Sequence, residues 1–107
     1  MRRCNRYDYQ EYDIDMQKLK MMVNKGCMLI DVRSKQEFNE GHLEKAILIP
    51  NYEIINQIKQ MDIDKSETII VYCGIGTRSK NAQEKLRSIG YKNVFNLYNG
   101  LQNYCTF

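Results

Sequence analysis

Residues 68–79 read TIIVYCGIGTRS, and this stretch decides the fold. Its first five residues form an uninterrupted β-branched and aromatic run, which is typical of a strand buried on both faces of a sheet. The run ends at Cys73, and the glycines at 74 and 76 permit a tight turn of the backbone. Apolar residues at helical spacing follow the turn. This order predicts one strand-turn-helix unit of an α/β sheet.

Segments on both sides of this unit alternate between strand and helix in the same way. CMLIDV (27–32) and AILI (46–49) have the continuous apolar character of buried strands, and VFNL (94–97) is predicted to be the last strand. Ile14 is assigned to a short first strand. Amphipathic helical segments separate these runs. We therefore predict an α/β fold with an open, mostly parallel five-stranded sheet and helices on both faces.

Capping residues predict where several helices begin and end. Asp15 is placed to cap the first helix. Ser34 and Glu37 have the spacing of a capping box, which predicts a short helix that ends at Gly41. Asn51 follows the only proline of the chain and is predicted to cap the next helix.

Length and composition indicate one globular domain. The chain has 107 residues, of which 43% are hydrophobic and 27% charged. We assign residues 1–12 as an N-terminal lead-in, which we expect to be frayed, and residues 13–107 as a single domain.

The charge and hydropathy patterns exclude two classes of partner. The net charge is +3, but the basic residues are scattered and lack interleaved aromatic residues, so no nucleic-acid partner is predicted. The longest apolar runs have about five residues, whereas a membrane span needs about 20. The first ten residues have no apolar stretch of the kind found in secretory signals. We expect a cytoplasmic protein with no membrane partner.

The cysteines are predicted to be free thiols. The chain has four, Cys4, Cys27, Cys73 and Cys105, with no C-x-x-C pair and a single histidine, so neither a zinc site nor a cofactor is predicted. Three of the four are interpreted as bystanders, and among these Cys105 is the one considered as a resolving thiol. We expect Cys27 to be buried in the sheet and less accessible to alkylating reagents than Cys73.

Cys73 is the strongest candidate nucleophile. Ligands of open α/β sheets bind outside the carboxyl ends of the strands, where Cys73 is predicted to lie. Gly74 and Gly76 allow successive backbone N–H groups to point inward, and the start of the next helix adds its unpaired N–H groups. Arg78 adds a full positive charge. Such a cradle favours a thiolate, which can attack a sulfane sulfur and then hold it as a persulfide.

Three motifs in order resemble the rhodanese family. CGIGTRS (73–79) resembles that family's active loop, C-x-x-G-x-R-S. LIDVRSKQEFNEGHLEKAILIP (29–50) is similar to its strand, Asp-x-Arg, acidic-aromatic helix, Gly-His and apolar-strand signature. YNGL (98–101) is similar to its closing turn. The resemblance extends from about Ile14 to Tyr104, and it implies a rhodanese-like open sheet.

The sequence departs from the family pattern at two places. The family often has Ile-Pro-Gly after Gly-His, where this chain has Leu-Glu-Lys at 43–45. Asn99 and Gly100 stand where two glycines are common, and Tyr104 stands where tryptophan is common. These differences concern loop conformation and leave the sulfur-carrying loop unchanged.

The resemblance implies a sulfurtransferase, with Cys73 as the catalytic residue. A small anionic sulfur donor, thiosulfate or a similar compound, would supply the sulfur, and a thiol, cyanide or a sulfur-acceptor protein would receive it. The loop residues that follow the cysteine are implied to bind the substrate: Gly74, Ile75, Gly76, Thr77, Arg78 and Ser79. Asp31, Arg33 and His42 are interpreted as structural support for the loops.

Two other functions stay open at this point. Cell-cycle phosphatases and arsenate reductases share the fold but place five residues between cysteine and arginine, whereas this chain places four between Cys73 and Arg78. A phosphoryl group needs the wider loop, so the spacing favours sulfur. A non-catalytic interaction domain or a persulfide relay is the other alternative, and retention of both Cys73 and Arg78 disfavours an inactive copy.

Overall fold

The computed structural model describes residues 10–104, so Cys4, Cys105 and most of the predicted lead-in lie outside the described part. Nine strands and helices occur in this part, and two short 3-10 turns, Asn51–Glu53 and Leu101–Asn103, accompany them. In chain order the strands and helices are β1 (Asp13–Ile14), α1 (Met16–Asn24), β2 (Met28–Asp31), α2 (Lys35–Glu40), β3 (Ile47–Leu48), α3 (Ile54–Met61), β4 (Ile69–Tyr72), α4 (Thr77–Ser88) and β5 (Val94–Leu97).

The strands form one sheet in the order β1-β5-β4-β2-β3, and all four described pairings are parallel. β4 lies at the centre, where Ile70 is opposite Leu29 of β2 on one side and Phe95 of β5 on the other. All four residues of β4 are buried, as its apolar run predicts. The predicted five-stranded α/β sheet is confirmed.

Successive residues of β4, and Cys73 directly after it, contribute to two separate cores. Ile69, Val71 and Cys73 pack with α3 and α4 on one face of the sheet. Ile70 and Tyr72 pack on the opposite face, with α1 and with two loop leucines. This alternation follows from the two-residue period of a strand. It places the Cys73 side chain on the face covered by α3 and α4, directly beside the helix that follows it.

Most of the predicted caps are confirmed, and one is wrong. Asp15 accepts a hydrogen bond from the Lys18 N–H at 2.8 Å, and Ser34 forms a reciprocal capping box with the residue three positions later. Asn51 does not cap α3, because it begins the 3-10 turn and α3 starts three residues later, at Ile54. The Asn51 side chain instead donates to Asn81 Oδ1 of α4 at 3.0 Å.

The segment before β1 packs on the far edge of the sheet. The ring of Tyr12 lies 5.0 Å from that of Phe95, and the Asn96 N–H donates to the Tyr12 carbonyl at 2.9 Å. Asp13 is buried and accepts from Lys80 Nζ at 3.1 Å, which joins this edge to α4. Along residues 10–104 the structure has no helix with the length and apolar character that a bilayer crossing needs.

Candidate active site

Cys73 follows the last residue of β4 at the carboxyl edge of the sheet, as predicted. The turn at 101–103 supports the backbone of the loop from the side. The Leu101 N–H donates to the Cys73 carbonyl at 2.7 Å, and the Gln102 N–H donates to the Gly74 carbonyl at 2.8 Å. These two bonds tie the loop to a segment nearly thirty residues away in sequence.

The Cys73 sulfur is surrounded by hydrogen-bond donors. The Gly76 N–H donates to Sγ at 3.1 Å and the Ser79 N–H at 3.3 Å, and Ser79 Oγ lies 3.3 Å from the same sulfur. Gly76, which precedes α4, has no side chain to cap the helix. Sγ therefore takes the position of a capping acceptor, at the positive end of a twelve-residue helix. This geometry stabilises negative charge on sulfur.

Two glycines permit this approach of backbone to sulfur. Gly76 has a φ of 96°, a left-handed conformation that directs its N–H at Sγ. Gly100 has a φ of 77°, and a Cβ added there would collide with the Gly74 carbonyl group and the Ile75 nitrogen. The loop and the closing turn thus pack backbone against backbone, which leaves no space for a side chain between them.

Ser79 offers the sulfur the only hydroxyl among its described partners. Its Oγ lies 3.3 Å from both Sγ and the Gly76 carbonyl, so the hydroxyl can donate to either. For the sulfur transfer that the sequence predicts, we expect Ser79→Ala to slow loading from thiosulfate about three- to tenfold, the effect of losing one hydrogen bond of ordinary strength. Rapid-quench mass spectrometry would measure this rate. Ser88→Ala, a change in the last turn of the same helix, is the control; equal rates for the two variants would show that the Ser79 hydroxyl has no role.

Arg78 lies at the start of α4, as predicted, but its charge is shared. Its Nη1 and Nη2 donate to the two carboxylate oxygens of Glu37 at 2.7 and 3.0 Å. Bonds from Arg78, and then from Ser34, lower the pKa of Glu37 to about 2, although burial opposes this. The pair also raises the pKa of Arg78. The guanidinium nevertheless lies beside the loop. Its Nη2 is 3.6 Å from the point where a Cβ would stand if Gly74 had a side chain.

Asp31 and Arg33 form a buried pair that holds the neighbouring segments. Arg33 Nε and Nη2 donate to Asp31 at 2.8–3.1 Å, and Nη2 also donates to the Gly41 carbonyl at 2.6 Å. Burial lowers the Arg33 pKa, but the bonds to Asp31 outweigh it and raise the pKa overall. Tyr72, under the Arg33 guanidinium, accepts from the Leu43 N–H at 3.0 Å, and burial raises its pKa.

His42 is exposed and makes only local contacts in the described chain. Its Nδ1 lies 2.9 Å from the Phe38 carbonyl and its ring stacks on that of Phe38, with centroids 3.7 Å apart. These contacts close α2 at Gly41. The role of His42, Asp31 and Arg33 as structural support remains our interpretation, and the contacts agree with it.

The exposure of the two described cysteines differs from expectation. Cys73 is fully buried, whereas Cys27 lies just before β2 and is half-buried. Neither is in a disulfide. Solvent exposure alone therefore favours alkylation of Cys27. The faster alkylation expected at Cys73 would have to come from the donors around its sulfur. Among residues 10–104, no three cysteine, histidine or acidic side chains come together as a metal site.

A cleft of about 220 Å³ opens beside the loop. Its lining combines one end of the β2–α2 connection, the start of the 3-10 turn and the loop arginine: Val32, Arg33, Ser34, Pro50, Asn51, Tyr52 and Arg78. Ile75 is half-buried and Thr77 is exposed, so both loop residues reach toward solvent while Gly74 is buried. Tyr52 at the cleft has 79% of its surface exposed, and no sequence pattern had singled it out.

The chain is similar to curated proteins with different activities. It is 39% identical over 67 residues to the thiosulfate sulfurtransferase PspE of Escherichia coli, which covers 63% of this chain and 64% of PspE. It is 33% identical over 103 residues to the adenylyltransferase and sulfurtransferase uba4 of Ogataea parapolymorpha, and 31% identical over 82 residues to the tRNA uridine(34) hydroxylase of Sodalis glossinidius. These matches cover 92% and 73% of this chain but only about a quarter of each relative.

Solved structures share the fold of this chain, and a family profile shows its family. The human single-domain sulfurtransferase TSTD1 has the same fold, with a TM-score of 0.77, 21% identity and coverage of 89% of this chain and 96% of its own. A rhodanese from E. coli solved with anions has a TM-score of 0.65 and 35% identity, covering 73% and 91%. The profile of the rhodanese-like domain matches residues 15–106, which is most of the chain. This chain belongs to the rhodanese-like domain family.

Proposed function

We propose that the protein is a sulfurtransferase of the thiosulfate type, which carries a sulfane sulfur on Cys73 as a persulfide. The observation that carries the proposal is the donor set on Sγ, formed by the Gly76 and Ser79 N–H groups and the Ser79 hydroxyl. The named activity of PspE supports thiosulfate as a donor, and the name of uba4 supports sulfur transfer more generally.

The reaction has two displacement steps. The Cys73 thiolate attacks the outer sulfur of thiosulfate, a sulfur–sulfur bond forms, and the older sulfur–sulfur bond breaks with its electron pair leaving on sulfite. A nucleophilic acceptor, such as a thiol, cyanide or an acceptor protein, then attacks the terminal sulfur and returns the Cys73 thiolate. In this mechanism the thiolate is the nucleophile, so the attack itself involves no general base.

The inward N–H groups have the same function in both steps. They stabilise the thiolate before attack, and they stabilise charge on the persulfide after it. Ile75 and Thr77 extend the loop toward solvent, where donor and acceptor arrive. We place the protein in the cytoplasm, where a nucleophilic thiol stays reduced and acceptor thiols are abundant.

Steady-state turnover tests the proposal against the phosphatase alternative. With thiosulfate and cyanide, the protein should form thiocyanate. With an aryl phosphate it should show no hydrolysis above background, because four residues between Cys73 and Arg78 give a loop too small for a phosphoryl group. Hydrolysis of the aryl phosphate that disappears with Cys73, in the absence of thiocyanate formation, would reject the sulfur assignment.

A further inference from the structure

We propose that Glu37 determines donor specificity: it neutralises the entrance to the Cys73 loop, which then favours organic sulfane donors of low charge, of the hydropersulfide class, over dianionic thiosulfate. The inference rests on the proposed function, since it concerns the donor for the same loop. Its basis is that Arg78, the cation of the loop itself, gives both Nη groups to the Glu37 carboxylate at 2.7 and 3.0 Å.

The second arginine of the cleft, Arg33, is also paired with a carboxylate. Arg33 makes its side-chain bonds to the Asp31 carboxylate and to a backbone carbonyl. The two arginines that line the cleft and their two carboxylates therefore sum to no net charge, and Lys85, whose Nζ donates to the Asn51 carbonyl at 3.1 Å, adds one positive charge beside Asn51. A small dianion is concentrated at a site by excess positive potential, and these paired groups supply none.

Glu37 is fixed in this position as a charged group. Its Oε1 accepts from the Ser34 N–H at 3.1 Å and from the Ser34 hydroxyl at 3.0 Å, in addition to its bond from Arg78. The bonds from Arg78 lower its pKa to about 2, so the carboxylate is ionised at neutral pH. Glu37 thus links α2 to α4, in a pair whose Arg78 and Glu37 side chains have 41% and 33% of their surface exposed.

The charge that accumulates during attack differs between the two donor classes. Thiosulfate brings two negative charges to a thiolate, so three must share the loop until sulfite leaves. With a hydropersulfide, the thiolate attacks the protonated terminal sulfur, the older sulfur–sulfur bond breaks, and an organic thiolate leaves with the electron pair. The transferred sulfur then releases its proton to solvent. One negative charge is present up to the departure of the organic thiolate, against three with thiosulfate, which suits an entrance of low net charge.

Glu37→Gln tests the inference without removing the cap. Glutamine can occupy the third position of a capping box, so α2 should persist, while the negative charge beside Arg78 is lost. Thiosulfate and methanethiosulfonate are the probes, because both donate a sulfane sulfur but differ by one charge. We expect kcat/KM for thiosulfate to rise about three- to tenfold, mainly through KM, and that for methanethiosulfonate, which has half the charge, to rise less, about two- to threefold.

Glu40→Gln is the matched control. It removes the same charge from the same helix, but Glu40 is exposed and accepts from Gln36. It should leave both donors within about twofold of the wild type. The wild type should also prefer methanethiosulfonate, and its kcat/KM for thiosulfate should change less than about twofold between low and high salt. That salt series tests the neutral entrance without any variant.

The outcomes separate this inference from the proposed function. A gain for thiosulfate that is confined to Glu37→Gln supports the inference. Equal effects of Glu37→Gln on both donors, or equal effects of the two variants, would overturn it while sulfur transfer itself stands. So would a steep fall of wild-type thiosulfate use with salt. A wild-type protein that takes sulfur from neither donor would overturn the proposed function and this inference with it.

Discussion

Cys73→Ser should reduce sulfur transfer at least about a thousandfold, which is the effect of removing the nucleophile itself. Serine is close in size and can accept the same bonds from the Gly76 and Ser79 N–H groups, so the loop should keep its shape. Its hydroxyl does not ionise at neutral pH and cannot hold a sulfane sulfur. Thiocyanate formation from thiosulfate and cyanide measures the loss.

Cys27→Ser is the matched control for this prediction. It makes the same change at the other described cysteine, which is half-buried just before β2. Its rate should equal that of the wild type. If Cys73→Ser retained a substantial rate while Cys27→Ser lost it, the nucleophile would be misassigned, and the donor set around Sγ would need another explanation.

Gly100→Ala should destabilise the fold by about 2–5 kcal/mol and strongly impair sulfur loading. With φ at 77° and ψ at 178°, the backbone of Gly100 occupies a region that side-chain-bearing residues avoid. The added Cβ would also collide with the Gly74 carbonyl group. The turn cannot move aside easily, because Leu101 and Gln102 donate to the loop carbonyls at 2.7 and 2.8 Å.

Gly26→Ala separates the two causes of this effect. Gly26 has a φ of 101°, but no atom lies within 4 Å of an added Cβ, so this variant carries backbone strain without a collision. It should lose about 1–3 kcal/mol and load sulfur normally. Urea unfolding and loading rates would compare the two variants. Normal loading in Gly100→Ala would mean that the closing turn does not shape the loop.

Local sequence signals predicted most of the fold. The run at 68–72 predicted β4, because a continuous β-branched and apolar strand is typical of the buried centre of a parallel sheet. Asp15 and Ser34 predicted their helix starts because caps involve neighbours three residues away. Asn51 failed as a cap because contacts with α4, distant in sequence, direct its side chain elsewhere.

The contacts within the site were less accessible to sequence reasoning. The glycines and the strand-to-helix order predicted where Cys73 lies and which N–H groups surround it. The pairing of Arg78 with Glu37 joins residues 41 positions apart. The capping-box pattern explains Glu37 by a local contact, so nothing in the sequence pointed to this second partner. The support from Gly100 likewise depends on long-range packing. The only sign of it in the sequence was the glycine of the closing turn.

Locating the transferred sulfur tests the central claim most directly. The protein would be incubated with thiosulfate, measured as an intact mass, and digested for peptide mapping under conditions that preserve persulfides. The account predicts a gain of one sulfur atom, carried on the peptide that contains Cys73 and removed by cyanide. A protein that gains no sulfur, or gains it on the peptide that contains Cys27, would contradict the account.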